Sequence, residues 1–484
     1  LRNGRFGYLN NKETLHLHKS GCRDRLWCAL RRIKPWGMQT GGPISLATPM
    51  RFAADPPAQA DVVVIGGGIA GVATALYLAE AGRRVVLCEK GRIAGEQSSR
   101  NWGWVRQQGR DPAELPVMIH ALRLWDGLQQ RLGEAVGLRR TGTTYLANGP
   151  ADLANFESWL PHARAHGLDT RMLSRAELDA LLPNASGWVG GLHTASDARA
   201  EPWTVVPAIA GLAAEAGASL HESCAVRAVE TAAGRVSGVV TEKGPIAAPQ
   251  VLLAGGAWSS LLARHTGLGF PQLAVRATVA ATPPMPEFHA GNAADSGFAF
   301  RRRADGGYTL APGIGHDFWV GPDAFRNLGA FLPQIRRDMR HTRLAPAAPR
   351  HYPDAWGTPR RWAADAASPF EAMRVLDPAP NLGRIETLRD DFAAAFPALG
   401  RPAIARAWAG MIDVTPDQVP VLDETPLPGF YIATGFSGHG FGIGPGVGRV
   451  MADMILGRAP QHDLRRFRFS RFSDGSRVEL GPSI

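Results

Sequence analysis

A glycine-rich turn set between two apolar runs and a helix-forming stretch constrains this chain more than any other feature. Asp61 opens the β-branched run Val62-Val63-Val64-Ile65. That run breaks into Gly66-Gly67-Gly68-Ile69-Ala70-Gly71 and continues as Val72 to Ala79. A second apolar run, Val85-Val86-Leu87-Cys88, ends at Glu89, eighteen residues past Gly71. Strand, G-x-G-x-x-G, helix, strand and acidic residue in this order predict a βαβ dinucleotide site. Gly66 permits the tight turn, Gly68 lets backbone approach a pyrophosphate, and Gly71 lets helix and strand pack closely. The helix N-terminus offers unpaired N–H groups and partial positive charge to phosphates. Glu89 would accept hydrogen bonds from a ribose. The alternative is a buried strand with a Gly-rich turn and no ligand.

The 484 residues suit two or three domains or one large two-lobed unit. The uncharged stretch from Val62 to Ala79 approaches the length of a membrane span. Its consecutive glycines and the nucleotide fingerprint make it a strand-turn-helix instead, so we expect no transmembrane segment and a cytoplasmic protein. The net charge of +10 is concentrated at one end. Residues 1–49 hold nine Lys/Arg and two acids, which accounts for seven of the ten charges. The remainder is too nearly neutral for a basic nucleic-acid binder, so no nucleic-acid partner is expected. We expect residues 1–57 to be a disordered basic leader. A mitochondrial-type presequence would share its Arg-rich composition. The preferred reading is upstream sequence carried into the frame, with Met50 or Met38 as the start. A chain beginning at Met50 should then keep its cofactor and activity. The four cysteines, Cys22, Cys28, Cys88 and Cys224, suggest free thiols in a reducing compartment, and no metal site is expected.

Further along, residues 116–132 read as an amphipathic helix and 203–217 as another. Phe298-Ala299-Phe300 and Tyr308-Thr309-Leu310 flank an Asp305-Gly306-Gly307 turn, a hairpin signal. Tyr431 to Gly435 reads as a strand entering a second glycine-rich turn, Phe436 to Gly448, with a helix from about Val447 to Leu456.

Five segments in order resemble the D-amino-acid-oxidase-like family of FAD enzymes, which includes sarcosine, glycine and opine oxidases. They are Val62–Gly71 with Glu89, then Ser98-Ser99-Arg100-Asn101-Trp102-Gly103, and Ala225-Val226-Arg227. Leu253-Ala254-Gly255-Gly256-Ala257-Trp258-Ser259 follows, and Thr434-Gly435-Phe436-Ser437-Gly438-His439-Gly440-Phe441-Gly442 closes the set. The resemblance implies an α/β architecture with a Rossmann-type FAD-binding domain and a discontinuous antiparallel-sheet substrate domain. The FAD domain would combine residues 58–141, 199–267 and 406–465. The substrate domain would combine 142–198 and 268–405, leaving a tail at 466–484. FAD contacts are expected from Gly66, Gly68, Ile69, Ala70, Gly71, Glu89, Lys90, Ser98, Ser99, Arg100, Asn101, Val226, Ala254, Gly255, Trp258, Gly410, Gly438, His439, Gly440, Phe441 and Gly442.

The implied reaction is oxidation of the C–N bond of a small amine or amino acid, by hydride transfer to flavin N5. The substrate would be a secondary amine, an N-methyl amino acid or an opine. Sarcosine-oxidase-like sequences often attach FAD through a His where this chain has Arg100-Asn101-Trp102, so FAD is expected to be non-covalent. Arg106 is placed near the flavin, where it would hold a carboxylate through two parallel hydrogen bonds. A structural salt bridge is its alternative. His439 is a candidate proton acceptor, while Arg302, Tyr308 and Asp413 are candidate substrate contacts. Asp413 has a turn role as its alternative, and Trp102 and Trp104 are candidate pocket walls. Thr309 aligns with a Lys that promotes oxygen reactivity in monomeric sarcosine oxidases. That implies slow reoxidation by oxygen, leaving a partner subunit or quinone as the alternative acceptor. Two other readings stand beside this one: an FAD-dependent 2-hydroxy-acid dehydrogenase, and a flavin-bearing subunit of a larger oxidase or dehydrogenase.

Overall fold

A computed structural model describes residues 37–313, 315–338 and 342–482. The leader residues 1–36 lie outside the described residues. Two sheets organise the chain from Gln39 onward. The first has six strands in the order Ser219–His221, Val85–Cys88, Val62–Ile65, Gln250–Leu253, Phe430–Thr434 and Val421–Glu424. The first five run parallel and the last is antiparallel. Parallel strands are covered on both faces, which is why their sequences are continuously apolar. Val62 and Val64 point into the cluster built by helices Ile69–Glu80, Leu115–Leu132, Pro202–Glu215 and Gly440–Ile455. Val63 and Ile65 point the other way, into a cluster with Val226, Val236 and Val239 of a three-stranded sheet.

The second sheet has eleven strands. Arg406–Val414 pairs antiparallel with Leu273–Ala281 along its whole length. The sequence places residues 406–465 in the FAD-binding domain, yet all the ladder bonds of this strand belong to the second sheet. The expected hairpin forms: Phe298–Arg302 pairs antiparallel with Tyr308–Pro312, and the Arg303 N–H donates to the Gly307 carbonyl at 2.8 Å.

Two boundaries differ from expectation. The Gly-rich segment near residue 440 is a helix, Gly440–Ile455. Its glycines serve helix packing rather than a turn. A Cβ on Gly444 would lie 2.3 Å from Ile69 Cγ1, and one on Gly448 2.5 Å from Ala73 Cβ. The actual turn is shorter and is marked by positive φ at Gly435 (76°), Ser437 (51°) and Gly438 (91°).

The second correction concerns the leader. Residues 39–57 belong to the folded body. Gln39–Thr40 pairs parallel with Arg406–Ala407. The Gly42 N–H donates to Asp377 Oδ1 at 3.1 Å, and Glu222 accepts from the N–H groups of Arg51 and Phe52. Ile44 is buried in the main core cluster. Burial of one such side chain is worth roughly 1.5–3 kcal/mol. A chain beginning at Met50 is therefore expected to be less stable than one beginning at Gln39, by at least about that amount. Urea unfolding of the two chains checks this; equal midpoints would show that residues 39–49 add nothing. The C-terminal segment is also packed: Phe467 is buried, and Arg471 forms a buried ion pair with Asp417 at 2.9 Å.

Candidate functional site

The turn at Gly66–Gly71 is built as its glycines demand. Gly66 has φ +112°, and a Cβ there would sit 2.4 Å from the Ala254 carbonyl oxygen. A Cβ on Gly71 would lie 2.0 Å from the Gly66 oxygen. Gly68 differs: its φ is −77°, and a Cβ would meet only Ser98 Oγ, at 3.0 Å. That hydroxyl accepts the Ile69 N–H at 2.9 Å, so a residue far along the chain caps the nucleotide helix.

A cleft runs from this turn past Glu89, Lys90 and Val226 to Gly438, Gly440 and Phe441. Ile69, Ala70, Ser98, Asn101, Ala254, Gly255 and Trp258 also line it. Glu89 Oε2 accepts the Gly67 N–H and Oε1 the Gly91 N–H, both at 2.7 Å. Each oxygen keeps a further lone pair. Burial pushes its carboxyl up to about 7 against the opposing pull of Lys90 and those N–H groups. Lys90 lies 4.5 Å from the centre of the Trp258 ring and is paired with Glu96 at 2.6 Å. The cleft is therefore long, glycine-walled at one end, and equipped with helix N–H groups and an acidic residue, which suits a dinucleotide.

Other expected cofactor residues support the cleft from behind. Gly71 allows the close turn. Ser99 is buried and donates to the Glu96 carbonyl at 3.3 Å. Gly410 leaves room for Gln97, whose Oε1 would be 2.0 Å from a Cβ there. Arg100 is buried and ties Asp377 (2.6 Å) to the Ala409 carbonyl (2.9 Å).

A second cavity of about 430 Å³ adjoins the cleft and shares Gln97, Asn101, Gly438 and Phe441 with it. Trp102, Trp104, Arg106, Tyr145 and Phe156 form one side, and Val279 and Ile412 of the large sheet another. His439 and Gly442 belong here rather than to the cleft. Arg106 donates through Nη1 to the Gln108 carbonyl, and its guanidinium carbon lies 5.7 Å from the Tyr145 ring centre. Behind it, Arg110 donates to the carbonyls of Arg106 (2.8 Å) and His439 (2.9 Å) and faces Glu114 at 3.5 Å. The sequence reading missed Arg110 and Glu114. An Arg and a Glu four residues apart look like an ordinary surface pair, and only their burial sets them apart.

Three expectations fail on geometry. Arg302 lines neither cavity; it donates to the Met285 carbonyl at 3.1 Å and lies 3.6 Å from Glu287. Tyr308 is fully buried, and its hydroxyl donates to the His289 carbonyl at 2.8 Å. Thr309 is buried beside Arg301, at 3.5 Å, and lines neither cavity, so it gives no ground for a slow reaction with oxygen. Strand alternation sends Arg301 the opposite way from Arg302, into an ion pair with Glu201 at 2.8 Å.

Asp413 lines the cleft rather than the second cavity. Its Oδ2 accepts from the N–H groups of Gly435 (2.6 Å) and Phe436 (3.3 Å) and from Thr434 Oγ1 (3.2 Å). It thus fixes the turn that closes the cleft. Hydrogen bonds to a charged acceptor are each worth about 1.5–3 kcal/mol. Asp413→Asn should weaken cofactor binding by roughly 10- to 100-fold while leaving the relative preference among substrates unchanged. Fluorescence titration of cofactor-free protein measures the first, and a substrate comparison the second.

The family model described as FAD dependent oxidoreductase matches residues 61–454. The sarcosine oxidase subunit beta of Rhizobium meliloti is 27% identical over 433 residues, covering 88% of this chain and 91% of that protein. The D-amino acid dehydrogenase of Paramagnetospirillum magneticum is 27% identical, covering 85% of this chain and 99% of that protein. Among solved structures, L-amino acid deaminase from Proteus myxofaciens superposes with a TM-score of 0.84 at 29% identity. That match covers 90% of this chain and 100% of the deaminase.

Proposed function

Because this chain belongs to the FAD-dependent oxidoreductase family, we propose that it holds FAD in the long cleft and oxidises the C–N bond of an amine or amino acid seated in the adjoining cavity. The observation that carries this reading is the shared wall. Gln97, Asn101, Gly438 and Phe441 line both spaces, so a cofactor filling the cleft meets a substrate filling the cavity. Gln97 Oε1 is buried there without a donor among the described residues, which suits a ring bearing N–H groups.

FAD, when bound, supplies a two-electron acceptor for the hydride leaving the carbon next to nitrogen. The remaining work falls to this chain. The N-terminus of helix Ile69–Glu80 and the open face of Gly68 hold the pyrophosphate, and Glu89 takes the ribose. The aromatic wall of Trp102, Trp104 and Phe156 excludes water, and Arg106 binds a carboxylate if the substrate carries one. The absence of His or Cys from Arg100-Asn101-Trp102 supports non-covalent attachment. Similarity to a sarcosine oxidase subunit beta supports a second reading, in which a partner subunit takes the electrons.

The test is an anaerobic screen for loss of the oxidised flavin spectrum. N-methyl amino acids, opines, D- and L-amino acids and 2-hydroxy acids should be compared. Bleaching by an amine or amino acid is expected. Bleaching by hydroxy acids alone would overturn C–N oxidation.

A further inference from the structure

The cavity wall behind Arg106 holds a buried carboxylate that accepts no hydrogen bond among the described residues. Glu114 caps helix Leu115–Leu132 and is 1% exposed. Among the described residues both its side-chain oxygens lack hydrogen-bond partners, as do His439 Nδ1 and Arg110 Nη1, the latter 3.5 Å from Glu114 Oε1. Such groups are ordinarily satisfied, and a set left unmade together invites a function. His439 connects them to the substrate: it lines the cavity and turns Nδ1 toward Glu114 Oε2, 3.8 Å away.

C–N oxidation requires the nitrogen lone pair, so a substrate that arrives as an ammonium ion must lose a proton before hydride leaves. We propose that Glu114, acting through His439, takes that proton. His439 accepts the proton from the substrate nitrogen and a proton passes from Nδ1 to Glu114. The carboxylate becomes a carboxylic acid, the imidazole returns to neutral, and the nitrogen lone pair is released. No electrons move in this step, and the proton returns to water through the cavity when product leaves. Glu114 is thus a positioning residue for the proton, and His439 is the group that touches substrate. This inference rests on the amine reading above.

The electrostatics divide the two roles. Burial, with the guanidiniums of Arg106 and Arg110, holds the His439 imidazole well below its ordinary range, so it passes a proton on rather than storing it. Burial raises the Glu114 carboxyl to about 7, with Asp111 adding to the rise and Arg110 and Arg106 opposing it. Asp197 and Tyr145 are the other titratable groups facing this arginine pair. Glu114 is therefore ionised and able to accept above about pH 7, and already protonated below it.

The experiment is flavin reduction by an ammonium substrate from the bleaching screen. It is followed by anaerobic stopped-flow from about pH 6 to about pH 10 in the holoenzyme and in Glu114→Gln. The holoenzyme should show an acid limb with a midpoint near that of Glu114. In Glu114→Gln the midpoint should move up by at least about one unit, toward the amine's own value, so that the rate near neutrality falls roughly tenfold. At the alkaline plateau the two rates should agree. A holoenzyme profile without an acid limb near neutrality, or an unchanged midpoint in Glu114→Gln, would overturn the proposal. Infrared difference spectra of flavin-free protein give a readout independent of turnover. Glu89 is also raised to about 7, so the signal of Glu114 is the part of a buried carboxylic-acid band titrating near neutrality that the native chain and Glu114→Asp show and Glu114→Gln lacks, the Asp variant covering poor folding of the Gln variant. If no such band titrates, the proposal fails even where the amine reading stands. If no amine bleaches the flavin while the band titrates, it is the amine reading that fails and takes the proton step with it.

Discussion

Gly68→Val is expected to give a folded chain that binds no FAD, whereas Gly66→Val should not fold stably. Both glycines belong to one turn, but their surroundings differ. Gly66 has φ +112°, and its Cβ would lie 2.4 Å from a backbone oxygen at Ala254. Ala254 follows the strand that pairs with Val62–Ile65, so neither backbone can move without opening the sheet. The strain and the clash together cost on the order of 3–5 kcal/mol, a large part of a domain's stability. Gly68 has an ordinary φ of −77°, and only the Ser98 hydroxyl, at 3.0 Å, would need to give. The branches of Val would then fill the cleft where a pyrophosphate approaches the helix. The flavin content of purified Gly68→Val should fall from about one per chain to below about a tenth. Thermal unfolding of the flavin-free protein should stay within a few degrees of flavin-free native chain. Normal flavin content in Gly68→Val would remove the cleft as the cofactor site. A collapse of both variants would show that the two positions are equally structural.

The same contrast explains which parts of the fold were legible in the sequence. The strands of the parallel sheet announce themselves because both faces are buried and no polar residue interrupts them. Glycine is ambiguous. At Gly66 it answers a backbone conformation, which the local motif reveals. At Gly444 and Gly448 it answers the approach of Ile69 and Ala73, residues more than 370 positions away, and local sequence reads as a turn. Alternation along Arg301-Arg302-Arg303 predicts opposite faces but cannot say which face meets a cavity. Arg301 is taken by Glu201, whose position depends on a distant helix start. The glycine-walled cleft was largely legible because its residues follow short motifs. The second cavity was not, since it is assembled from Trp102–Arg110, Tyr145, Val279 and Ile412, segments far apart in the chain, of which Val279 and Ile412 lie on the paired strands Leu273–Ala281 and Arg406–Val414.

Arg106→Leu should lower kcat/KM for a carboxylate-bearing substrate by roughly 10²- to 10³-fold, the equivalent of about 3–4 kcal/mol for a lost charge-assisted pair in a secluded cavity. Three arginines line this cavity, and two are already engaged. Arg100 is held by Asp377 and two carbonyls. Arg110 is held by two carbonyls and faces Glu114. Among the described residues Arg106 has one bond, to the Gln108 carbonyl, and a place over the Tyr145 ring, which leaves donors for a planar anion. Lysine at this position would keep the charge but lose the fork, so Arg106→Lys should fall between native and Leu. At the alkaline plateau, where the amine needs no proton acceptor, an amine lacking the carboxylate should react equally with all three proteins, and flavin content should not change, because Arg106 lies outside the cleft. Steady-state kinetics with a matched pair of substrates, one with and one without the carboxylate, distinguish the outcomes. Equal losses on both substrates would make Arg106 a support for the cavity wall. Loss confined to the carboxylate substrate would place the anion on this guanidinium, and so the carbon to be oxidised between Arg106 and the wall that Gln97 and Phe441 share with the cofactor.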